Sequence, residues 1–252
     1  MCIKKIIFFV TFLLFPLKYS AQYCSASNFY CNTILYNKFK IKSIDHYRLE
    51  IDHAISLLIK KKDIIDQELN RKERVEILAI AFPEIIRYNS FSDYIETSSN
   101  RILYINKGKK VSDFSIGYFQ MKPSFIEDLE NYVIHNTNLE DCNMILIKKK
   151  TEKEIRKERI DRLESFQWQI RYLKVFWHVA ELKFKNLNFK NKQEKIRFFA
   201  TAYNYGFTKP ENEIENYQAI KAFPYGERIN TIKFKFADFS LDFINTYSSF
   251  FN

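Results

Sequence analysis

Residues 75–88 read VEILAIAFPEIIRY, and this stretch decides the fold class. Its apolar side chains recur at the spacing of one helix face, which predicts a helix. The residues that give this pattern are Val75, Leu78, Ala79, Phe82 and Ile86. Pro83 lacks an amide hydrogen and crowds the preceding turn, so we expect the helix to end or kink there. Glu84 therefore lies at the predicted helix end, among apolar neighbours.

Other segments continue the helical pattern along the chain. Helices are predicted at residues 43–59, 124–133, 166–184 and 192–203, from apolar residues at helical spacing. The sequence holds four glycines and five prolines, too few for a turn-rich β sandwich or barrel. With 46% hydrophobic residues in a chain of 252, one domain with a well-filled core is the simplest expectation.

Residues 101–116 break the helical pattern. Two short apolar runs flank a turn that contains Gly108. The apolar residues of the two runs are Ile102, Tyr104, Val111 and Phe114. Such runs around a glycine-bearing turn predict a small β-hairpin. The expected fold class is therefore mainly α, with a small β-hairpin after the helix that carries Glu84.

The N-terminus has the layout of a secretory signal peptide. A basic start at residues 4–5 precedes an apolar run at 6–17 and a small-residue exit at 19–21. We predict a signal peptide at residues 1–21, which places the mature protein in the periplasm or another exported location, and a poorly structured lead-in at 22–42. The apolar run is short for a bilayer span, so a membrane is an expected partner only if the segment stays uncleaved.

Charge points to the kind of partner. The net charge of +10 suits an anionic polymer such as a cell wall. Nucleic acid is the other common partner of such charge, but the predicted signal peptide argues against it, so no nucleic acid is expected. Residues 148–162 alternate in charge sign, which favours a solvated helix face over a polyanion-binding patch.

The cysteines and histidines predict no metal site. If residues 1–21 are removed, Cys24, Cys31 and Cys142 remain. An exported protein can form a disulfide, and Cys24 and Cys31 are close enough in sequence to pair, with Cys142 left over as a buried thiol. The sequence leaves the disulfide state open. Because it has neither a C-x-x-C motif nor a His/Cys cluster, neither a metal nor a cofactor is expected.

Glu84 is the first candidate for chemistry. A carboxyl in apolar surroundings is hard to ionise, so its pKa should rise and it should be able to donate a proton near neutral pH. Arg87, three residues on, could pair with Glu84 and lower that pKa again. A surface glutamate on an amphipathic helix is the commoner interpretation of such a residue taken alone.

Two later segments carry further candidates. In FSIGYFQMKPS (residues 114–124), Gly117 allows close backbone approach, and Gln120 offers a donor and an acceptor that suit a sugar acetamide or hydroxyl. The alternative is a tight turn into a helix. In FATAYNYG (residues 199–206), Tyr203 and Asn204 close a helix that Gly206 ends, and capping alone could explain them.

Taken together, the three segments resemble the catalytic domain of soluble lytic transglycosylases, within the lysozyme-like superfamily. That family carries a catalytic glutamate at a helix end, a Gly-Leu-Met-Gln-like stretch that leads into a proline, and an Ala-Tyr-Asn-x-Gly motif. The matching positions, in the same order, are Glu84, Gly117-Tyr118-Phe119-Gln120 before Pro123, and Ala202-Tyr203-Asn204-Tyr205-Gly206. Residues 168–173 (WQIRYL) look like the family's helix with a Tyr-Leu pair, and the resemblance covers residues 72–207.

The sequence departs from the family pattern at several points. Ile85 stands where the family usually has serine after the glutamate, and Tyr118 and Phe119 stand in place of leucine and methionine. The separations between the three motifs are longer than is typical of the family, and the predicted hairpin and the charged run at 148–162 can absorb the excess. These departures affect the details of substrate binding more than the fold.

The resemblance implies an activity on peptidoglycan glycan strands. Glu84 would act as the single acid/base that cleaves the MurNAc-β-1,4-GlcNAc bond and leaves 1,6-anhydro-MurNAc ends. The substrate-binding residues would be Gly117, Tyr118, Phe119, Gln120, Tyr203 and Asn204. One alternative is a hydrolytic lysozyme in which Glu96 or Asp113 supplies a second carboxylate. Another is a non-catalytic wall-binding protein on the same fold.

The same interpretation divides the chain into segments. The lysozyme-like transglycosylase domain would span residues 43–207. Residues 208–252 fall outside the resemblance and form an aromatic-rich C-terminal extension. Their aromatic density predicts packing on the domain rather than a sugar-binding platform, although stacking on saccharides is an open alternative.

Overall fold

The computed structural model describes residues 47–88, 90–225 and 232–252, with the backbone alone at 90–98. The predicted signal peptide (1–21), the lead-in (22–42) and the cysteines Cys24 and Cys31 lie outside the described residues. The described residues form one compact unit. Cys142 is a buried free thiol, which is the state expected of it if Cys24 and Cys31 pair.

The described part of the chain is mainly helical, which confirms the expected class. Two 3₁₀ segments accompany the α-helices, at Thr137–Ile145 and Ser248–Phe250. In chain order the α-helices are α1 (Arg48–Lys60), α2 (Lys62–Glu68), α3 (Arg74–Arg87), α4 (Ser90–Lys107), α5 (Pro123–Ile134), α6 (Glu152–Leu163), α7 (Phe166–Lys183), α8 (Lys192–Tyr205), α9 (Glu211–Tyr217) and α10 (Phe236–Tyr247).

The predicted hairpin at 101–116 is wrong. Residues up to Lys107 belong to α4, and Gly108 ends that helix with a φ of +80°. The Gly108 amide donates to the Tyr104 carbonyl at 2.8 Å, as a glycine does where it closes a helix C-terminus. The glycine-bearing turn signal therefore marked a helix end, and the pairing seen within the described ranges consists of two isolated bridges, Ile116–Met121 and Phe223–Phe234.

Helix α3 does not end at Pro83. It continues to Arg87 with Pro83 inside its last two turns. Proline removes one hydrogen bond of the helix, but every residue from Arg74 to Ile86 is buried, so packing compensates for that loss. Helices α1, α7, α8 and α10 all pack against α3, which makes it the central helix of the core.

The C-terminal segment belongs to the same core. Helix α10 packs against both α3 and α8. The Phe243 ring lies 4.6 Å from the Phe82 ring of α3, between centroids. Because α3 carries Glu84 and α8 carries Tyr203, α10 packs against both of the helices that position these two residues.

Helix α6 contains a buried charge that the alternating pattern of residues 148–162 does not predict. Arg159 is 5% exposed and donates through Nη2 to Glu130 of α5 at 2.6 Å. Its Nη1 donates to the Tyr104 hydroxyl at 2.5 Å, and that hydroxyl donates to Glu127 at 2.7 Å. These bonds tie α4, α5 and α6 together through one guanidinium.

No helix in the described ranges combines the length and the apolar character needed to cross a bilayer.

Candidate functional site

A cleft of about 490 Å³ opens beside the end of α3. The 116–121 loop (residues 116–121) and the start of α5 form one side of it, and the end of α8 with the residues that follow forms another. The lining residues are Glu84, Arg87, Asp113, Gln120, Met121, Lys122, Ser124, Phe125, Asp128, Tyr203, Asn204, Tyr205, Gly206, Phe207, Thr208, Lys209, Tyr217 and Tyr225.

Glu84 lies in the wall of this cleft with 6% of its surface exposed. Burial raises the pKa of its carboxyl from 4.5 to about 7, although the charge and hydrogen bond of Arg87 and the charge of Lys122 pull that pKa down. Arg87 Nη1 donates to Glu84 Oε2 at 3.0 Å. Both expectations for this residue, a raised pKa and a pairing with Arg87, are confirmed.

Tyr203 lies close to Glu84 and faces the same cleft. Burial and the negative charge of Glu84 raise the pKa of its hydroxyl well above 10, so it stays a neutral donor. That hydroxyl donates to the Phe119 carbonyl at 2.7 Å. The bond joins α8 to the 116–121 loop, so one side chain holds two walls of the cleft together.

We expect Tyr203→Phe to lower the free energy of unfolding by about 1–2 kcal/mol, because the buried Phe119 carbonyl loses its partner. If the cleft is catalytic, kcat/KM should fall about tenfold as the loop and α8 loosen. Tyr132→Phe is the control, since the Tyr132 hydroxyl makes no hydrogen bond within the described ranges. Equal denaturation midpoints for the two variants would contradict the role given to the Tyr203 bond.

The 116–121 loop is shaped by its glycine and by a buried glutamine. Ile116 and Met121 exchange backbone hydrogen bonds of 3.0 and 3.2 Å, which closes the loop. Gly117 has a φ of +69°, and a Cβ built on it would lie 1.8 Å from Gln169 Nε2. Gln169 in turn accepts from the Phe119 amide at 3.0 Å. The loop can take this path against Gln169 because residue 117 has no side chain.

The structure brings four of the seven predicted site residues to the cleft and leaves three outside its lining. Glu84, Gln120, Tyr203 and Asn204 line it. Gln120 has a φ of +48° and donates through Nε2 to the Gly117 carbonyl at 2.8 Å.

Gly117, Tyr118 and Phe119 form the body of the loop instead. Phe119 is fully buried, with its ring stacked on Phe166 at 5.6 Å. The half-buried Tyr118 ring contacts Phe166 and Tyr88. Their side chains therefore support the position of Gln120, and the Phe119 side chain has no surface with which to touch a ligand.

The structure describes the side chain of one of the two candidates for a second carboxylate. Asp113 lines the cleft and accepts from the Ser124 amide at 3.0 Å and from the Ser124 hydroxyl at 2.8 Å. These bonds cap the start of α5, so Asp113 has a structural role as well as a place in the cleft. Glu96 belongs to α4, and its side chain lies outside the described residues.

Sequence reasoning missed the tyrosines beyond the motifs. Asn204 Nδ2 donates to the Tyr225 hydroxyl at 2.6 Å, and that hydroxyl lies 3.1 Å from the Tyr217 hydroxyl. The Tyr205 and Tyr217 rings stack at 4.1 Å. The signal was the aromatic density of residues 208–252. It predicted packing, and the segment supplies part of the cleft wall as well.

Side chains of metal-binding types converge elsewhere in the described part of the chain. Glu73, His178 and Glu181 place one potential ligand atom each within 4.8 Å of one another, away from the cleft. Lys195 Nζ lies 2.5 Å from Glu181 Oε1, so an ammonium group already supplies positive charge there.

Comparison with known proteins adds no relative. No family model, no curated protein and no solved structure matches the chain. The motif resemblance and the cleft geometry are therefore the grounds on which a function can be argued.

Proposed function

We propose that this protein is an exported lytic transglycosylase that cuts the glycan strands of peptidoglycan, with Glu84 as its single acid/base. The observation that carries the proposal is the state of Glu84: a buried carboxyl with a pKa of about 7, in the wall of an open cleft. Near neutral pH, both the protonated and the ionised form of a carboxyl with this pKa are populated. This suits a group that must give a proton and take one back.

The neighbours of Glu84 support the same chemistry. Gln120 and Asn204 offer amide groups of the kind that hold a sugar acetamide, and Tyr203 offers a neutral hydroxyl beside the carboxyl. The predicted signal peptide and the net charge of +10 favour an anionic substrate outside the cytoplasm. The ordered motifs that resemble the transglycosylase family name the substrate class.

In the proposed reaction Glu84 protonates the glycosidic oxygen between N-acetylmuramic acid and N-acetylglucosamine as that bond breaks. The substrate acetamide stabilises the developing positive charge at the anomeric carbon. Glu84, now ionised, takes the proton of the muramic 6-hydroxyl as its oxygen bonds to that carbon. The product is a 1,6-anhydro sugar, and no water is consumed.

The products decide between this proposal and its alternatives. Purified protein is incubated with peptidoglycan, and the released sugar ends are identified by mass spectrometry. Anhydro ends support the transglycosylase. Reducing ends would support a hydrolase. The observation that favours this alternative is that the Asp113 carboxylate lines the same cleft as Glu84. Retention on intact wall without any released sugar would leave a wall-binding protein.

We expect kcat/KM to fall about tenfold per pH unit above about pH 7, because the protonated form of Glu84 starts the reaction and its pKa is about 7. If Glu84 is the only acid/base, the pH profile of kcat/KM shows this alkaline limb and no other. A second carboxylate that must be ionised would add an acid-side limb. Initial rates between pH 4 and 9 on soluble glycan whose carboxylates are amidated would separate the two mechanisms, because no carboxylate of the substrate then titrates.

A further inference from the structure

The Arg87 guanidinium contacts the C-terminal segment as well as Glu84. Its guanidinium carbon lies 5.6 Å from the Tyr225 ring centroid and 6.0 Å from that of Phe223, so residues of the C-terminal segment hold it in place. The side chain is 29% exposed and lines the cleft. Within the described ranges its hydrogen bonds go to Glu84 alone, through Nη1, which leaves the other N–H donors for a ligand.

Three cationic side chains and three carboxylates line the cleft around Arg87, so the summed formal charge of its lining becomes positive when Glu84 takes a proton. Lys122 and Lys209 also line it, and neither makes an ion pair within the described ranges. Of the acids, Asp128 lies 3.5 Å from Lys109, and Asp113 is bonded to Ser124. An anionic group in this cleft would meet free cationic donors.

The protonation of Glu84 leaves Arg87 in need of another anionic partner. A general acid must start the reaction protonated, and a protonated Glu84 no longer gives Arg87 an anionic partner. Arg87 is then a partly buried cation beside a neutral group, which is unfavourable unless another anion takes the place of Glu84. A carboxylate brought by the substrate would restore the ion pair and leave Glu84 free to hold its proton.

We propose that Arg87 binds a carboxylate of the glycan substrate, and that this exchange of partners sets Glu84 in its proton-donating state. The inference rests on the proposed function and deepens it, because it makes Arg87 a specificity-determining residue for anionic glycans. The carboxylate has two possible sources on peptidoglycan, the lactyl ether of the sugar and the peptide stem, and both offer the planar two-oxygen geometry that a guanidinium fork matches.

A pH signature follows from the exchange. The groups that face Glu84 are Arg87 on its own helix, Lys122 before α5, Tyr203 on α8 and Tyr225 in the C-terminal segment. A bound carboxylate adds a negative charge to this set and raises the pKa of Glu84 in the complex. The alkaline limb of kcat, which reports the complex, should therefore lie about one pH unit above that of kcat/KM, which reports the free enzyme.

Three forms of one glycan test the proposal: strands with peptide stems, strands freed of stems with lactyl carboxylates, and the latter after amidation of those carboxylates with methylamine. We expect the wild type to show a KM about tenfold lower for the carboxylate-bearing strands than for amidated ones. The stem-bearing strands tell whether the stem or the lactyl group supplies the carboxylate. Arg87→Gln should abolish the preference and bring the two pH limbs together, and Arg87→Lys should restore part of both.

Lys110→Gln is the control, because it removes one exposed positive charge outside the cleft. A wild-type preference that persists in full in Arg87→Gln would overturn the inference while leaving the proposed function intact. Failure of the wild type to cut any of the three glycans would instead overturn the proposed function. Calorimetric binding of the same strands to Glu84→Gln, with and without Arg87→Gln, then decides whether Arg87 recognises the carboxylate.

Discussion

Glu84→Gln should lower kcat/KM for glycan cleavage by about 10³- to 10⁴-fold, the upper part of the range for general acid–base catalysis, because in the proposed mechanism one carboxyl performs both proton transfers. Glutamine keeps the size and polarity of the side chain but can neither release nor accept the proton. The loss should appear in kcat, since the binding residues of the cleft remain. The measurement is the initial rate of anhydro-end formation at saturating glycan.

The same substitution has a stability signature with a fixed sign. The folded-state pKa of Glu84, about 7, lies above its ordinary value of 4.5, so its contribution to stability is complete below pH 4.5 and is lost as pH rises through 7. Relative to the wild type, Glu84→Gln should therefore gain stability between those two pH values, by on the order of 3 kcal/mol. Urea unfolding at pH 4.5, 6 and 8 measures the difference.

Glu76→Gln is the matched control for both the rate measurement and the unfolding measurement. Glu76 is a second buried glutamate of α3, but it pairs with Lys192 and lies outside the cleft. We expect its variant to keep kcat. A Glu84→Gln enzyme that retained most of the wild-type rate would remove Glu84 from the mechanism.

Gly117→Ala should lower the free energy of unfolding by about 2–5 kcal/mol. A Cβ at residue 117 would lie 1.8 Å from Gln169 Nε2, and Gln169 is fully buried and bonded to both Phe119 and Leu163. The φ of +69° adds a backbone cost of about 1–2 kcal/mol for any residue with a side chain. The rest comes from overpacking, which a well-filled core relieves only by moving its neighbours.

Gly108→Ala isolates the two contributions. Gly108 also has a positive φ, +80°, but a Cβ there meets Arg156 at an ordinary 3.8 Å. Its variant should lose about 1–2 kcal/mol and keep its activity. Gly117→Ala should also lose activity at temperatures where it is folded, because Gln120 sits on the displaced loop. Equal melting temperatures for the two variants would contradict the clash with Gln169.

The helices that form the core could be predicted from local patterns. The helix predicted at 166–184 is observed as Phe166–Lys183, and that at 192–203 as Lys192–Tyr205. Two predictions failed where long-range packing outweighs a local signal. Gly108 indicated a turn between strands, but it ends a helix whose Tyr104 is bonded to Arg159, 55 residues away. Pro83 indicated a helix end, but the burial of α3 on all sides carries the helix onward.

The sequence predicts the polar residues of the candidate site, but it predicts the walls of the cleft only in part. Glu84, Gln120, Tyr203 and Asn204 stand in short motifs whose chemistry can be named from residue type. The contribution of Tyr225 depends on a chain path between α9 and α10 that no local pattern specifies. The motif resemblance assigns Phe119 to the substrate, because it stands within the Gly117–Gln120 match. Adjacent residues of a tight loop can point to opposite sides, and the Phe119 ring is buried.

The position of α10 has a consequence for the order in which the protein becomes competent. During synthesis the segments of α3 and α8 emerge before Phe236–Tyr247, which packs against both. Until that segment arrives, the faces of α3 and α8 that it buries stay open to water, and the direct packing of α3 on α8 lacks the support of α10. The helix pair that carries Glu84 and Tyr203 is therefore fully packed only after α10 has emerged.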